Sequence, residues 1–316
     1  MIRKAFYILL VALLGLAACD VHELPESGLG IDLSIALDFP GGMTDYTTIN
    51  YTKAGAPPVP RYTVQIYRYD ADGNLEKDPV WNEQFTGDRI ERLDTTLNVS
   101  LSQSRFLAFA WVDYTVGGEA FYNPSSMPSI YLSDGYKGCE DAKDAFYGVL
   151  DFDLSTIRPT ESVIIEEVIT MRRPLAKIQF FIADQNDFLA GAGAGGTEGW
   201  KIYFSYPGFL PDAYDLTEGK TVDARQGANF EGRLELTPEG ICLGYDYVFV
   251  NGTESSVTMA MTVTDASGQV IGSFPATNIP VAAGKRTLVK GDYFSGTGQG
   301  GVGIRTDFDG EINIAI

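Results

Sequence analysis

His22 is the only histidine among 316 residues. Everything beyond it is therefore without a His-based triad, a His-x-x-His metal pair or a histidine general base. Cysteine is nearly as scarce, with three in all, at positions 19, 139 and 242. A disulfide-stapled scaffold needs more, and Cys139 and Cys242 fall in what read as different halves, so independent thiols are expected. Cationic side chains are in short supply too. Lys and Arg number 23 against 42 Asp and Glu, for a formal charge of −19. Nucleic-acid binders carry basic stripes, so this balance argues against them and suits an exported protein that stays soluble at high local concentration. Beyond the first residues no apolar run approaches the ~20 positions of a membrane helix. No long 3.6-residue pattern appears either, which disfavours doubly wound α/β folds.

What the chain does have begins at its first residues. Arg3 and Lys4 form a positive n-region, and Ala5 to Leu16 is apolar but too short to span a bilayer. Leu16-Ala17-Ala18-Cys19 then supplies a leucine, two small residues and a thiol, the arrangement a lipoprotein signal peptidase requires. The expectation is a lipoprotein signal peptide over 1–18, diacylglycerol on Cys19, and a lipidated tether over 19–30. Loss of Arg3 and Lys4 takes the charge to −21, because the signal holds no acid. More than one acyl chain anchors stably where a single chain is marginal, so the protein is expected to be tethered to a membrane rather than to cross it.

The remainder reads as β-structure. Apolar and polar residues alternate with period two in Ile31 to Phe39, Tyr62 to Tyr69, Arg105 to Asp113, Val163 to Met171, Ala176 to Ala183, Val257 to Asp265 and Thr287 to Phe294, among others. Only Asp184 to Leu189 and parts of Asp215 to Asn229 could support a helical turn. Asp70-Ala71-Asp72-Gly73-Asn74 and Asp265-Ala266-Ser267-Gly268-Gln269 read as tight hairpin turns. About 300 residues exceed a usual single core, so two antiparallel β-sandwich domains are expected. Pro174 fits the start of a strand better than its middle, which places the division at 31–173 and 174–316. Gly191 to Gly196 reads as a loop.

Catalytic constellations are missing. Gly296-Thr297-Gly298-Gln299-Gly300-Gly301 fits G-x-G-x-x-G but has no helix after it to hold a pyrophosphate. Asp70, Asp72, Asn74 and Glu76 crowd oxygen ligands, yet Leu75 takes the glycine position of a calcium loop. Asp113-Tyr114 and Asp144-Ala145-Phe146 pair acids with aromatics, as a sugar site would. A turn cap and core packing explain them better. Trp81, Trp111 and Trp200 could stack on glycans, although the alternating neighbours of Trp111 favour a core position. No catalytic residue, metal or cofactor is expected. One candidate binding element remains. Glu311 to Ile316 alternates strictly and puts Ile312, Ile314 and Ile316 on one face. Those isoleucines need a groove, in their own domain or in a neighbouring subunit.

Several of these stretches carry a further resemblance. Cys19-Asp20-Val21-His22-Glu23-Leu24-Pro25-Glu26, Arg61 to Arg68, Ala110-Trp111-Val112-Asp113-Tyr114, Lys143 to Gly148, Arg172 to Ile178, Asn278-Ile279-Pro280-Val281 and Thr287 to Asp292 follow one another in order, with Phe308 to Ile312 at the end. Together they resemble FimB-like fimbrial anchor lipoproteins of the Bacteroidetes type. Ala282-Ala283-Gly284-Lys285 departs from the more polar turn expected there. The resemblance implies two consecutive transthyretin-like β-sandwiches and an outer-membrane location through Cys19. It also implies fimbrial shaft subunits as partners at the base of a fimbrium, and no catalytic residues. The alternative is a surface glycan-binding lipoprotein of a nutrient-uptake system.

Overall fold

The computed structural model describes residues 31–39, 57–88, 90, 93–133, 135–157, 163–192, 196–294, 303–307 and 311–315. Cys19 with the expected signal and tether, the glycine-rich stretch 296–301 and Ile316 lie outside them. For 93–100, 163, 303–307 and 311–315 the backbone alone is described.

Strands dominate the described residues. The first half contains β1 (Ile31–Asp38), β2 (Val59–Arg68), β3 (Trp81–Thr86), β4 (Leu93–Leu101), β5 (Arg105–Val116), β6 (Glu119–Ala120), β7 (Tyr122–Asn123), β8 (Ser129–Leu132), β9 (Phe146–Asp153) and β10 (Val163–Thr170). The second half begins with β11 (Leu175–Ile182), the helix α1 (Gln185–Ala192), β12 (Lys201–Ser205), β13 (Phe209–Asp215) and β14 (Lys220–Gln226). It continues with β15 (Asn229–Glu231), β16 (Glu235–Thr237), β17 (Gly240–Phe249), β18 (Glu254–Thr264), β19 (Val270–Ala282), β20 (Arg286–Gly291), β21 (Gly303–Asp307) and β22 (Glu311–Ala315). The fold class is all-β, as its alternation implies.

The alternation works as the physics of a pleated strand requires. In β1, Ile31, Leu33, Ile35 and Leu37 are buried while Asp32, Ser34, Ala36 and Asp38 are half-buried, so one face lies in the core. In contrast β11 is buried at every residue. It sits inside a six-stranded sheet of order β16-β17-β11-β20-β21-β22, with a four-stranded sheet β15-β12-β18-β19 beside it. The first half has a three-stranded sheet β10-β1-β4 and a five-stranded sheet in which β2 and β5 are central. A fifth sheet crosses the middle of the chain: β7 and β8 continue into β13 and β14, with Ala213 opposite Tyr131.

The sheets are not purely antiparallel. β1 runs parallel to β10 and antiparallel to β4, and β11 runs parallel to β20 and antiparallel to β17. Each half thus places its first strand between a parallel and an antiparallel neighbour.

One other expectation changes and one is met. Within Asp215 to Asn229 a single helical turn forms, the Gly219 amide donating to the Asp215 carbonyl at 2.9 Å. The Asp215 carboxylate accepts from the amides of Thr217 and Glu218, closing a turn that leads into β14. Gly191 belongs to α1 rather than to a loop, since Phe188 of that helix is buried against Trp200 and Phe294, with ring centroids 5.5 and 5.2 Å away. Both expected hairpin turns form, and with the same wiring. Asp70 Oδ1 accepts from the amides of Asp72 and Asn74, and Asp265 Oδ1 accepts from those of Ser267 and Gln269. Gly73 and Gly268 supply the positive φ of +82° and +86° that the turns need.

Two apolar clusters form the core. One lies wholly within the first half, around Leu33, Ile35, Tyr62, Phe106 and Phe146. The other joins Trp111, Tyr122 and Ile130 of the first half to Phe180, Phe204 and Phe249 of the second.

Candidate functional site: a buried ionic seam and an open sheet edge

A single 3-10 turn, Asp141–Lys143, begins the join between the halves. With the residue that follows, it supplies three charged side chains, two of which pair with residues of the second half and one with Arg173 at the junction. Lys143 Nζ donates to Asp246 Oδ1 at 2.5 Å, and both side chains are almost fully buried. The other oxygen of Asp246 accepts from the hydroxyls of Tyr206, at 2.7 Å, and Tyr136. Asp144 accepts from Arg173 Nε at 3.0 Å, and the Arg173 guanidinium lies over the Phe146 ring. Asp141 accepts from Lys177 Nζ at 2.7 Å, and Lys177 is held over the rings of Tyr245 and Tyr247.

A fourth ion pair lies within the first half. Arg61 on β2 donates twice to Asp113 on β5, at 2.8 and 2.5 Å, and once to the Tyr122 carbonyl. Trp111 Nε1 also donates to Asp113, and the Tyr122 hydroxyl donates to the Lys143 carbonyl at 2.7 Å. The chain of contacts therefore runs from β2 through Tyr122 to the 3-10 turn and into β17.

Burial pushes the carboxyls of Asp113 and Asp144 up from the usual range, while Arg61 and Arg173 pull them back. Burial, with Asp246 alongside, pushes the Tyr136 and Tyr206 hydroxyls well up. Removing several charges from water costs several kcal/mol per ion, which the pairing and hydrogen bonds must return. What such a network contributes is geometry. Each carboxylate is committed to a cation on a distant element, so the halves meet in one register. Asp113 and Asp144 are core and joint residues, in keeping with the packing reading and not with a sugar site.

A cavity of about 170 Å³ opens beside the turn, lined by Val116, Phe121, Leu132, Tyr136, Lys137 and Lys143 among others. Trp111 is fully buried, and Trp81 and Trp200 are half-buried.

β22 is the last strand of the six-stranded sheet and pairs antiparallel with β21, Ile314 opposite Ile304 and Ile312 opposite Thr306. Among the described residues no strand pairs with its outer edge. Of the sequence-derived site residues, Ile312 and Ile314 thus share this edge strand, while Cys19 and Ile316 lie outside the described residues. The seam escaped sequence reading. Its one local signal is the run Glu140-Asp141-Ala142-Lys143-Asp144, whose small central residue and single cation among acids mark an unusual segment without naming its partners.

Fold and seam together define an all-β, two-part scaffold whose buried charges serve its own joint. The chain belongs to a family of unknown function, DUF6562, whose sequence model matches residues 26–316. No curated protein matches it. Solved structures that resemble it include a candidate adhesin from Bacteroides ovatus, at 11% identity and a TM-score of 0.48, with 91% of this chain and 95% of that one covered. A fimbrial assembly protein from Parabacteroides distasonis is similar at 12% identity and a TM-score of 0.45, covering 91% and 99%. The fimbrial anchor protein Mfa2 from Porphyromonas gingivalis is similar at 12% identity and a TM-score of 0.41, covering 90% and 99%. Likeness at this level carries no function across.

Proposed function

We propose that this protein is a non-enzymatic outer-membrane lipoprotein that anchors a fimbrium at the cell surface and limits its length. In this reading Cys19 carries the lipid, and two sandwiches spanning 31–173 and 174–316 hold the fibre. The carrying observation is the ordered run of FimB-like motifs that starts at the lipidation cysteine itself. Two features of the fold suit the reading. The ionic seam fixes the halves against each other, as a part under load needs. The outer edge of β22, unpaired among the described residues, offers backbone groups for strand addition, in which main-chain hydrogen bonds give affinity and alternate side chains give register.

The test is co-purification from a strain expressing the lipidated protein. Fimbrial subunits are expected with the wild-type protein in the membrane fraction, and Cys19→Ala is expected to release the anchor from that fraction. Acylated wild-type protein that retains no fimbrial subunit would overturn the reading in favour of glycan uptake. Binding of a polysaccharide by that same preparation would then be the next measurement.

A further inference from the structure

The feature that carries furthest is the way β1 is built into its sheet. Eight consecutive residues, Ile31 to Asp38, face Val163 to Thr170 in unbroken parallel register. On its other side β1 pairs antiparallel with β4. Its inward face buries Ile31, Leu33, Ile35 and Leu37, each no more than 1% exposed.

Parallel pairing has a mechanical corollary. The chain enters β1 at Ile31 and leaves β10 at Thr170, which are opposite ends of the same ladder. Tension applied to those two points slides the strands along each other. The evenly spaced bonds of a parallel pair then load together rather than one at a time. A slip of one residue would turn the four aliphatic side chains to the wrong face, so the strand cannot creep by small steps.

The exit from β10 is reinforced. The Met171 amide donates to the Asp38 carbonyl at 2.8 Å, and Arg172 and Tyr147 exchange two backbone hydrogen bonds. Arg173 is then pinned by Asp144, and after Pro174 the chain becomes β11, again the strand between a parallel and an antiparallel neighbour.

We propose that the β1/β10 pair is a shear clamp, passing tension from the chain upstream of Ile31 through the junction at 171–174 into the second half. The source of that tension rests on the anchoring reading above, whereas the mechanics rest on register alone.

The test is single-molecule pulling of the unlipidated mature chain, with one handle upstream of Ile31 and the second in either of two places. Thr253 is exposed and lies near Val250, whose amide donates to the Pro174 carbonyl, so a handle there loads the ladder in shear. Ser162 immediately precedes β10, so a handle there pulls the two strands apart from the same end. At equal loading rate the Thr253 geometry is expected to rupture at a force at least about twofold higher, forced unfolding being governed by the barrier along the pulled coordinate. Equal forces, or a weaker Thr253 geometry, overturn the clamp. No fimbrial subunit enters this measurement. A failure of subunit capture therefore leaves the clamp standing, and a failed clamp leaves the anchoring reading to its own test.

Discussion

Lys143 and Asp246 lie 103 residues apart and meet at 2.5 Å with almost no solvent around either. Lys143→Met removes the cation and leaves Asp246 to two tyrosine hydroxyls and the Tyr247 amide. The expected loss is about 3–5 kcal/mol in urea unfolding, the usual cost of leaving a buried charge uncompensated. A loss under about 1 kcal/mol would mean that hydrogen bonding alone satisfies the carboxylate. The thiols give a second expectation. Burial pushes Cys139 up to about 11 and Cys242 up to about 12. A folded-state pKa above the unfolded value contributes stability that is complete below the unfolded pKa and is lost as pH rises through the folded one. Stability is therefore expected to fall from about pH 9 upward. At pH 8 a thiol reagent should label neither cysteine until urea is added. Rapid labelling of the native protein would contradict the burial. Little of this was legible in the sequence. Asp113 and Asp144 could be singled out as acids beside aromatics, but their cations sit 52 and 29 residues away. Local pattern does not encode a partner at that distance.

Among the elements, alternation made β1, β2, β5, β11 and β18 visible, because each has an apolar face or two. β6 and β7, of two residues each, are too short to show a period, and β14 is largely exposed and has no face to reveal. The acid-led turns were legible for a different reason. Their carboxylates bond amides within four residues, so the whole motif is local. The terminal strand β22 was legible as a strand but not as an edge, since edge position depends on sheet order. Removing 311–316 takes away one outer strand and exposes β21 in its place. Loss of subunit capture at an unchanged melting temperature is expected if β22 is the docking element. Loss of the native circular dichroism spectrum would assign the strand to its own sandwich and move docking elsewhere.

Across the described residues, an apolar cluster, a shared sheet and two ion pairs cross the division at Pro174, and a third pair holds Arg173 beside it. The halves are therefore expected to unfold in one calorimetric transition, with van't Hoff and calorimetric enthalpies equal. Two resolved transitions would show that the seam orients the halves without coupling them. Composition pointed to two sandwiches, yet nothing in it foretold parallel pairings, which depend on how the chain returns and not on what any segment contains. That return also sets an order of events in time. As the chain emerges from its first residue, β1 is among the earliest segments out, but its parallel partner is not complete until residue 170 has followed. Through that interval Ile31, Leu33, Ile35 and Leu37 have at first no partner and then β4 without β10, a wait that long-range pairing makes slow and exposed to aggregation. The first described strand to appear is secured only by the last strand of its own half.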